Sequence, residues 1–302
     1  MSAEIHIRQA APEDYEAVAA FTRETWADRE ASDYIPAIYH EWIAGDGDRK
    51  RTFVADAGDD IAGICQGVML SEHEAWAQGM RVNPDYRDEG LSTKLNDALF
   101  KWARERGATV CRNMVLSWNS AGLGGSRAAG FDPKTEFRWA HPEPDATAGS
   151  DHEIHSDPDA AWSYWQQSEA RTALSGLSLD MDESWAVSEL TRECLRRATD
   201  ETRVFGVKQA GESTRGMAYR VRDYEREIEG ELEHWAEYGV GAWEDIDTAR
   251  TLLDAISADA ADVGADRTRV LIPETPRHVS DVATTRVGLS EGPDFVLESP
   301  LY

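Results

Sequence analysis

Met80-Arg81-Val82-Asn83-Pro84-Asp85-Tyr86-Arg87-Asp88-Glu89-Gly90-Leu91-Ser92 is the stretch on which the reading of this chain turns. Ala75–Val82 reads as a strand and Asn83-Pro84 ends it. Glu89 to Arg106 reads as a helix, because Leu91, Leu95, Ala98, Leu99 and Trp102 fall on one face. The first amides of a helix lack intrahelical acceptors and sit at the positive end of its dipole, so they bind anions. Gly90 lets the backbone approach a phosphate closely, Ser92 is small enough not to block it, and Arg87 supplies a cation with a donor fork. An ordinary strand–turn–helix would share these residues, and Arg-x-x-Gly-x-Ser by itself is a weak signal. The order of the flanking elements is what strengthens it.

Upstream, Glu4 to Gln9 alternates as a strand, and Ala11-Pro12-Glu13-Asp14 opens a helix that runs towards Trp26. A short helix is expected from Tyr34 to Ile43, then strands at Thr52–Ala55 and Ile61–Leu70 around the Gly58-Asp59-Asp60 turn. Downstream, Gly107 stops the long helix, and a strand (Val110–Leu116), a short helix (Asn119–Ala129) and a last strand through Trp139 follow. The order β-α-α-β-β-β-α-β-α-β predicts a mixed α/β fold layered on one sheet.

With this order, the segment resembles the GNAT superfamily of acyl-CoA N-acyltransferases, whose pyrophosphate motif is Arg/Gln-x-x-Gly-x-Gly/Ala after a strand ending Val-x-Pro. Ser92 is a mild departure from it. A second family signature, Asn followed after ten residues by Gly-Phe, is matched by Asn119 and Gly130-Phe131. The resemblance implies acetyl-CoA as cosubstrate and no metal. It places the main chain of Met80, Arg81 and Val82 against the pantetheine arm. The amides of Asp88, Glu89, Gly90, Leu91 and Ser92, with the Arg87 side chain, fall on the pyrophosphate, and Asn119 near the thiol. Family members often carry a Tyr as general acid where this chain has Ser126, so water or Ser126 as a hydrogen-bond donor must stand in. Asp88 and Glu89 stand where relatives are commonly basic, and their side chains are expected to face solvent. The base that an amine acceptor needs is sought in Glu72, His73 and Glu74, with Glu74 ranked first because it starts the strand. Gln78 lies where related amino-acid acetyltransferases carry Glu, and an amide cannot act as base. Trp26, Tyr34, Tyr39, His40 and Trp42 are candidates for the acceptor pocket.

The second half repeats the first. Leu95–Ala108 and Leu252–Ala265 align without gaps at an offset of 157, with Leu95, Asp97, Ala98, Ala103, Gly107 and Ala108 recurring as Leu252, Asp254, Ala255, Ala260, Gly264 and Ala265. Arg203–Gly211 echoes Arg51–Gly58. At the same offset Arg87 becomes Glu244, Gly90 becomes Asp247 and Ser92 becomes Ala249, which places negative charge where pyrophosphate would lie. The expected architecture is therefore tandem: an intact GNAT domain at 1–140, a Pro-, Ser- and acid-rich linker at 141–157, and a degenerate GNAT-like domain at 158–302 that does not bind CoA. This arrangement also resembles amino-acid N-acetyltransferases of the histidine-acetylating kind.

Composition narrows the partners. The 302 residues carry 57 acids against 31 bases, a net charge of −26, which disfavours phosphate backbones and anionic membranes. Of the bases 26 are Arg and five are Lys. This acidic, Lys-poor balance resembles the proteins of salt-in halophiles, so the charge speaks of solvent more than of function. Three cysteines without C-x-x-C spacing argue against a disulfide framework or a Cys zinc site. His152 and His155, beside Asp151 and Glu153, read as solvated linker in preference to a metal patch. No apolar run reaches 18 residues and no signal-peptide pattern opens the chain, so a cytoplasmic monomer or homodimer is expected. The expected activity is acetyl transfer to the primary amine of a small metabolite. The alternatives are a non-catalytic acyl-CoA-binding regulator and a protein N-acetyltransferase.

Overall fold

The computed structural model describes residues 5–23, 25, 33–149, 152–208, 213–228 and 231–302. Among these the chain divides into two compact units, residues 1–115, 119–133 and 296–302 in the first and 116–118 and 134–295 in the second.

The first unit begins with β1 (His6–Gln9), a 3-10 turn at Pro12–Asp14, α1 (Tyr15–Thr22) and α2 (Ile35–Gly45). Strands β2 (Lys50–Asp56), β3 (Ile61–Met69) and β4 (Glu74–Val82) follow, then α3 (Leu91–Arg104), β5 (Val110–Leu116) and α4 (Ser120–Ala128). Its strands run in the order β1-β2-β3-β4-β5-β16, the last being Asp294–Pro300. The pairs from β1 to β4 are antiparallel, and β4 pairs with β5 in parallel. Every residue of β3 is buried, as a central strand covered on both faces requires. On one face α3 presses Leu91, Leu95, Leu99, Trp102 and Ala103 inward. A separate cluster joins Val18, Ile35, Tyr39 and Trp42 to Val54 and Ile64.

The second unit takes β6 (Asp132–His141), from Lys134 onward, as a strand of its own. It continues through β7 (Glu153–His155), α5 (Pro158–Gln167), α6 (Glu169–Ala173), the β8 (Leu177–Leu179) and β9 (Val187–Glu189) hairpin, and α7 (Arg192–Glu201). Then come β10 (Arg203–Lys208), β11 (Thr214–Ile228), β12 (Glu231–Tyr238), β13 (Ala242–Trp243), α8 (Ile246–Asp262), β14 (Arg267–Pro273), α9 (Pro276–Thr284) and β15 (Gly288–Leu289). The order β7-β10-β11-β12-β14-β6 repeats the first unit's pattern, antiparallel up to β12 and parallel between β12 and β14. Its core packs Leu252, Leu253, Ile256 and Ala260 of α8 on Phe205, Ala236, Tyr238 and Val270.

The duplication expected from the helix pattern is therefore also a duplication of topology. The compact units differ from the expected 1–140 and 158–302. Residues 134–157 lie in the second unit, 296–302 lie in the first, and the expected linker contains β7, whose His155 pairs with Gly206 of β10. Each unit thus completes its sheet with a strand from the other half of the sequence. Between α5 and α6 the helical path is broken at Ser168, which is extended and accepts from the Arg171 amide as the cap of α6.

Candidate active site in the first unit

Two features of β4 prepare the site. The first is a break in register. Gln78 pairs with Gln66, but Arg81 pairs with Ile64, so β4 carries an extra residue at the bend. Gly79 takes it up with φ +62, and Trp42 lies so close that a Cβ there would come within 2.3 Å of its ring. The second is the parallel pairing with β5, which covers Glu74, Ala75 and Trp76 against Val110, Cys111 and Arg112 and goes no further. Beyond that point the edge of β4 from Ala77 to Val82 has no ladder on the β5 side. An extended ligand with amide groups can pair there.

The turn after β4 is built locally. The Asn83 side chain accepts from the Asp85 amide at 3.1 Å and starts a 3-10 turn at Pro84–Tyr86. Asp88 has φ +65 and Gly90 φ +69, so the chain enters α3 from the left-handed region and Gly90 serves as its N-cap without a side-chain cap. The amides of Gly90, Leu91 and Ser92 have no acceptor among the described residues. A Cβ on Gly90 would meet nothing within 4 Å, so the space in front of these amides is open. Arg87 is exposed and pairs with no carboxylate among the described residues, and Asp88 and Glu89 are exposed beside it. This row of unsatisfied amides with a nearby cation fits a diphosphate.

Helix α4 borders the same turn, with Ser92 Oγ 3.9 Å from where a Cβ on Gly125 would stand. Ser126 is buried, and its hydroxyl accepts from Asn113 Nδ2 of β5 at 2.9 Å, leaving its own proton to donate elsewhere. Asn119 caps α4, its Oδ1 accepting from the Gly122 amide at 2.9 Å. The expected cofactor residues Met80 to Val82, Arg87 to Ser92 and Asn119 thus fall on the bend, the turn and the adjoining helix caps. Arg81 turns its side chain to Asp33 at 2.6 Å and beneath the ring of Tyr34.

Glu74 does not join this group. It is buried at the paired end of β4, where its carboxylate is held by Arg112 and by the Ser71 hydroxyl, and Arg112 also bonds Glu298 at 2.7 Å. Glu72 and His73 are exposed in the turn before it. Of the acceptor-pocket candidates, Tyr39 and Trp42 are core, Tyr34 and His40 are exposed, and Trp26 lies outside the described residues.

Sequence reasoning missed a buried polar row behind the bend. Gln78 Nε2 donates to Gln66 Oε1, Gln66 Nε2 to Thr52 Oγ1, and Thr52 Oγ1 to Asp46. Three polar residues at paired positions of adjacent strands were the available signal.

The second unit fills the corresponding places with its own groups. Asp245 is the N-cap of α8 and accepts from the Thr248 amide at 2.9 Å. Burial opposes its ionisation, but this bond and Arg215 still hold its carboxyl below the ordinary value. Glu244 pairs with Arg215, and the Gly241 amide donates to the Leu271 carbonyl at 2.8 Å, closing the gap between β12 and β14. Arg269, at the offset of 157 from Arg112, again pairs with a carboxylate of the neighbouring parallel strand, here Glu237.

Cys65, Cys111 and Cys194 are free thiols. No helix among the described residues is long and apolar enough to cross a membrane, and these residues hold no group of three or more potential metal ligands.

Residues 12–121 match the sequence pattern of the Acetyltransferase (GNAT) family. No curated protein matches the chain in sequence. Among solved structures, a GCN5-related N-acetyltransferase from Sphaerobacter thermophilus superposes with TM-score 0.63 at 13% identity, over 98% of this chain and 96% of that one. A putative acetyltransferase from Thermoplasma acidophilum gives 0.56 at 15% identity, over 98% and 100%. A tandem GNAT protein from the clavulanic acid biosynthesis pathway gives 0.53 at 11% identity, over 99% of both chains. The chain is thus a tandem GNAT-fold protein whose residues 12–121 carry the pattern of the acetyltransferase (GNAT) family.

Proposed function

We propose that the first unit transfers an acetyl group from acetyl-CoA to the primary amine of a small metabolite, an amino acid or a relative of one. The observation that carries this reading is the meeting, in one unit, of an unpaired stretch of β4 with a helix start whose amides lack acceptors. Acetyl-CoA supplies the activated acyl group as a thioester. The amides of Gly90 to Ser92 and the Arg87 guanidinium would hold its diphosphate, and the main chain of Met80 to Val82 its amide-bearing arm. Ser126, with its oxygen already engaged by Asn113, offers its proton to the departing thiolate as a hydrogen-bond donor. Glu74 keeps β4 on β5 through Arg112, and the amine loses its proton to solvent. The second unit, with its helix start capped by Asp245, serves as support and binds no CoA. Screening of the −26 charge by concentrated salt and a cytoplasmic location complete the reading.

Thiol release from acetyl-CoA against a panel of free amino acids, polyamines and peptide N-termini is the test. Release with an amino acid or similar small amine is expected, and release with peptides alone would move the reading to a protein N-acetyltransferase. Tight binding without release on any amine would favour the acyl-CoA-binding regulator, and absence of binding would refute the site altogether.

A further inference from the structure

The second unit contains a cavity of about 600 Å³ bounded by β7, α5, the start of α6, the facing ends of β10 and β11, β13 and the start of α9. That is the size of pockets that enclose a small organic ligand. Its walls are built. The His155 ring lies on Gly206, where a Cβ would come within 2.2 Å of it. Its Nδ1 accepts from the Asp157 amide and its Nε2 contacts Thr214 Oγ1 at 2.9 Å. Burial, with Lys208 nearby, holds this imidazole below its ordinary value, so at neutral pH Nε2 carries the single proton and gives it to Thr214. The Thr214 hydroxyl proton is then free to donate into the cavity. Tyr164, more than nine-tenths buried, lines the same space, and its hydroxyl has no partner among the described residues. Trp243 forms another wall, fixed by the bond from its Nε1 to Asp281 at 2.9 Å.

The charges choose among ligands. The two cations on the wall are already engaged, Lys208 with Glu153 at 3.0 Å and Arg277 with Glu169 at 2.7 Å. Asp157, Glu169 and Glu244 line the cavity as well, so among the described residues carboxylates outnumber cations three to two. Among the described residues a phosphate or carboxylate ligand would find no uncommitted cation. The carboxylates are committed as well, Glu169 to Arg277, Glu244 to Arg215 and Asp157 to the amides of Asp159 and Ala160, so an ammonium group would be favoured by the excess carboxylate of the wall and by two aromatic rings, which attract cations through their faces.

From these walls we infer that the second unit binds a small organic cation, an ammonium carried on an apolar or aromatic body, in this cavity. The site is separate from the acetyl-transfer reading and stands whether or not that reading holds. Calorimetric titration of the full chain with tyramine, cadaverine and choline tests it, with 4-(2-hydroxyethyl)phenol and ADP as uncharged and anionic counterparts. At least one cation binds with submillimolar affinity, while the phenol and ADP bind at least ten-fold more weakly. Tyr164→Phe and Glu244→Gln each weaken the cation several-fold or more, with the melting temperature unchanged. Should Glu244→Gln lower the melting temperature through loss of Arg215, Tyr164→Phe decides. Failure of all three cations to bind, equal binding of the phenol, or cation binding that Tyr164→Phe leaves unchanged would overturn the inference.

Discussion

Gly90→Asp puts into the first unit the kind of residue that the second already uses at its helix start. The perturbation has two parts. The backbone at position 90 is left-handed, φ +69, which costs a non-glycine residue about 1–2 kcal/mol, Asp being among the better tolerated. A Cβ there meets nothing within 4 Å, so no steric cost adds to it and the melting temperature should fall by only a few degrees. The binding cost is much larger. A carboxylate about 4 Å from one phosphate charge is repelled by about 4 kcal/mol at an effective dielectric near 20. That corresponds to roughly a thousand-fold in the dissociation constant. Any amide captured by the new side chain, as Asp245 captures Thr248, removes a further charge-assisted bond of about 1.5–3 kcal/mol. Titration calorimetry with acetyl-CoA, beside a thermal melt, measures both parts. A folded variant that binds acetyl-CoA within ten-fold of the parent would refute the assignment of the turn.

Three further outcomes follow from the same geometry. Ser126→Ala should lower kcat by about ten-fold or less, with the acetyl-CoA affinity unchanged, because it removes the one hydrogen bond that the proposed reaction gives to the departing thiolate; unchanged kcat would remove Ser126 from the chemistry. Glu74→Gln leaves Arg112 short of a charge partner in a buried pair and should cost about 3 kcal/mol in urea unfolding, while the pH profile of kcat/KM keeps its shape; a lost basic limb in a stable variant would instead make Glu74 the base. Asp294 is pushed up to about 6 by burial, against the Trp139 Nε1–H bond and the Arg269 charge. Its folded value exceeds the unfolded one, so its contribution is full below about pH 4 and is lost as pH rises through 6. Asp294→Asn should therefore exceed the parent in stability by up to about 3 kcal/mol at pH 7.5, with the gap closing towards pH 4; an equal gap at both pH values would refute the shift.

Local signals made much of this legible. Val110–Leu116 was readable to the residue, and α3 to within two, because turn residues and a one-sided apolar pattern act over a few positions. The same helical pattern exposed the duplication at Leu95 and Leu252. What escaped depends on distant partners. Arg112 meets Glu298 across 186 positions, and nothing near either residue announces the other. Glu74 looked like a free carboxylate because its partner Arg112 comes from a different strand. The Asp245 cap could have been read, since an Asp three residues before Thr248 at a helix start is a local signal. His155 was mistaken for solvated linker because β7 exists only through its pairing with β10.

The assignment of residues 296–302 to the first unit bears on how the molecule is made. Nascent domains generally fold in order of synthesis. Here the leading unit stays open along β5 while some 160 residues of the other unit are still being translated. Val296, Leu297 and Leu301, all buried, are translated after these. A ribosome stalled anywhere before them would hold a first unit without its β16 edge, so this unit gains that edge only after the second has been synthesised.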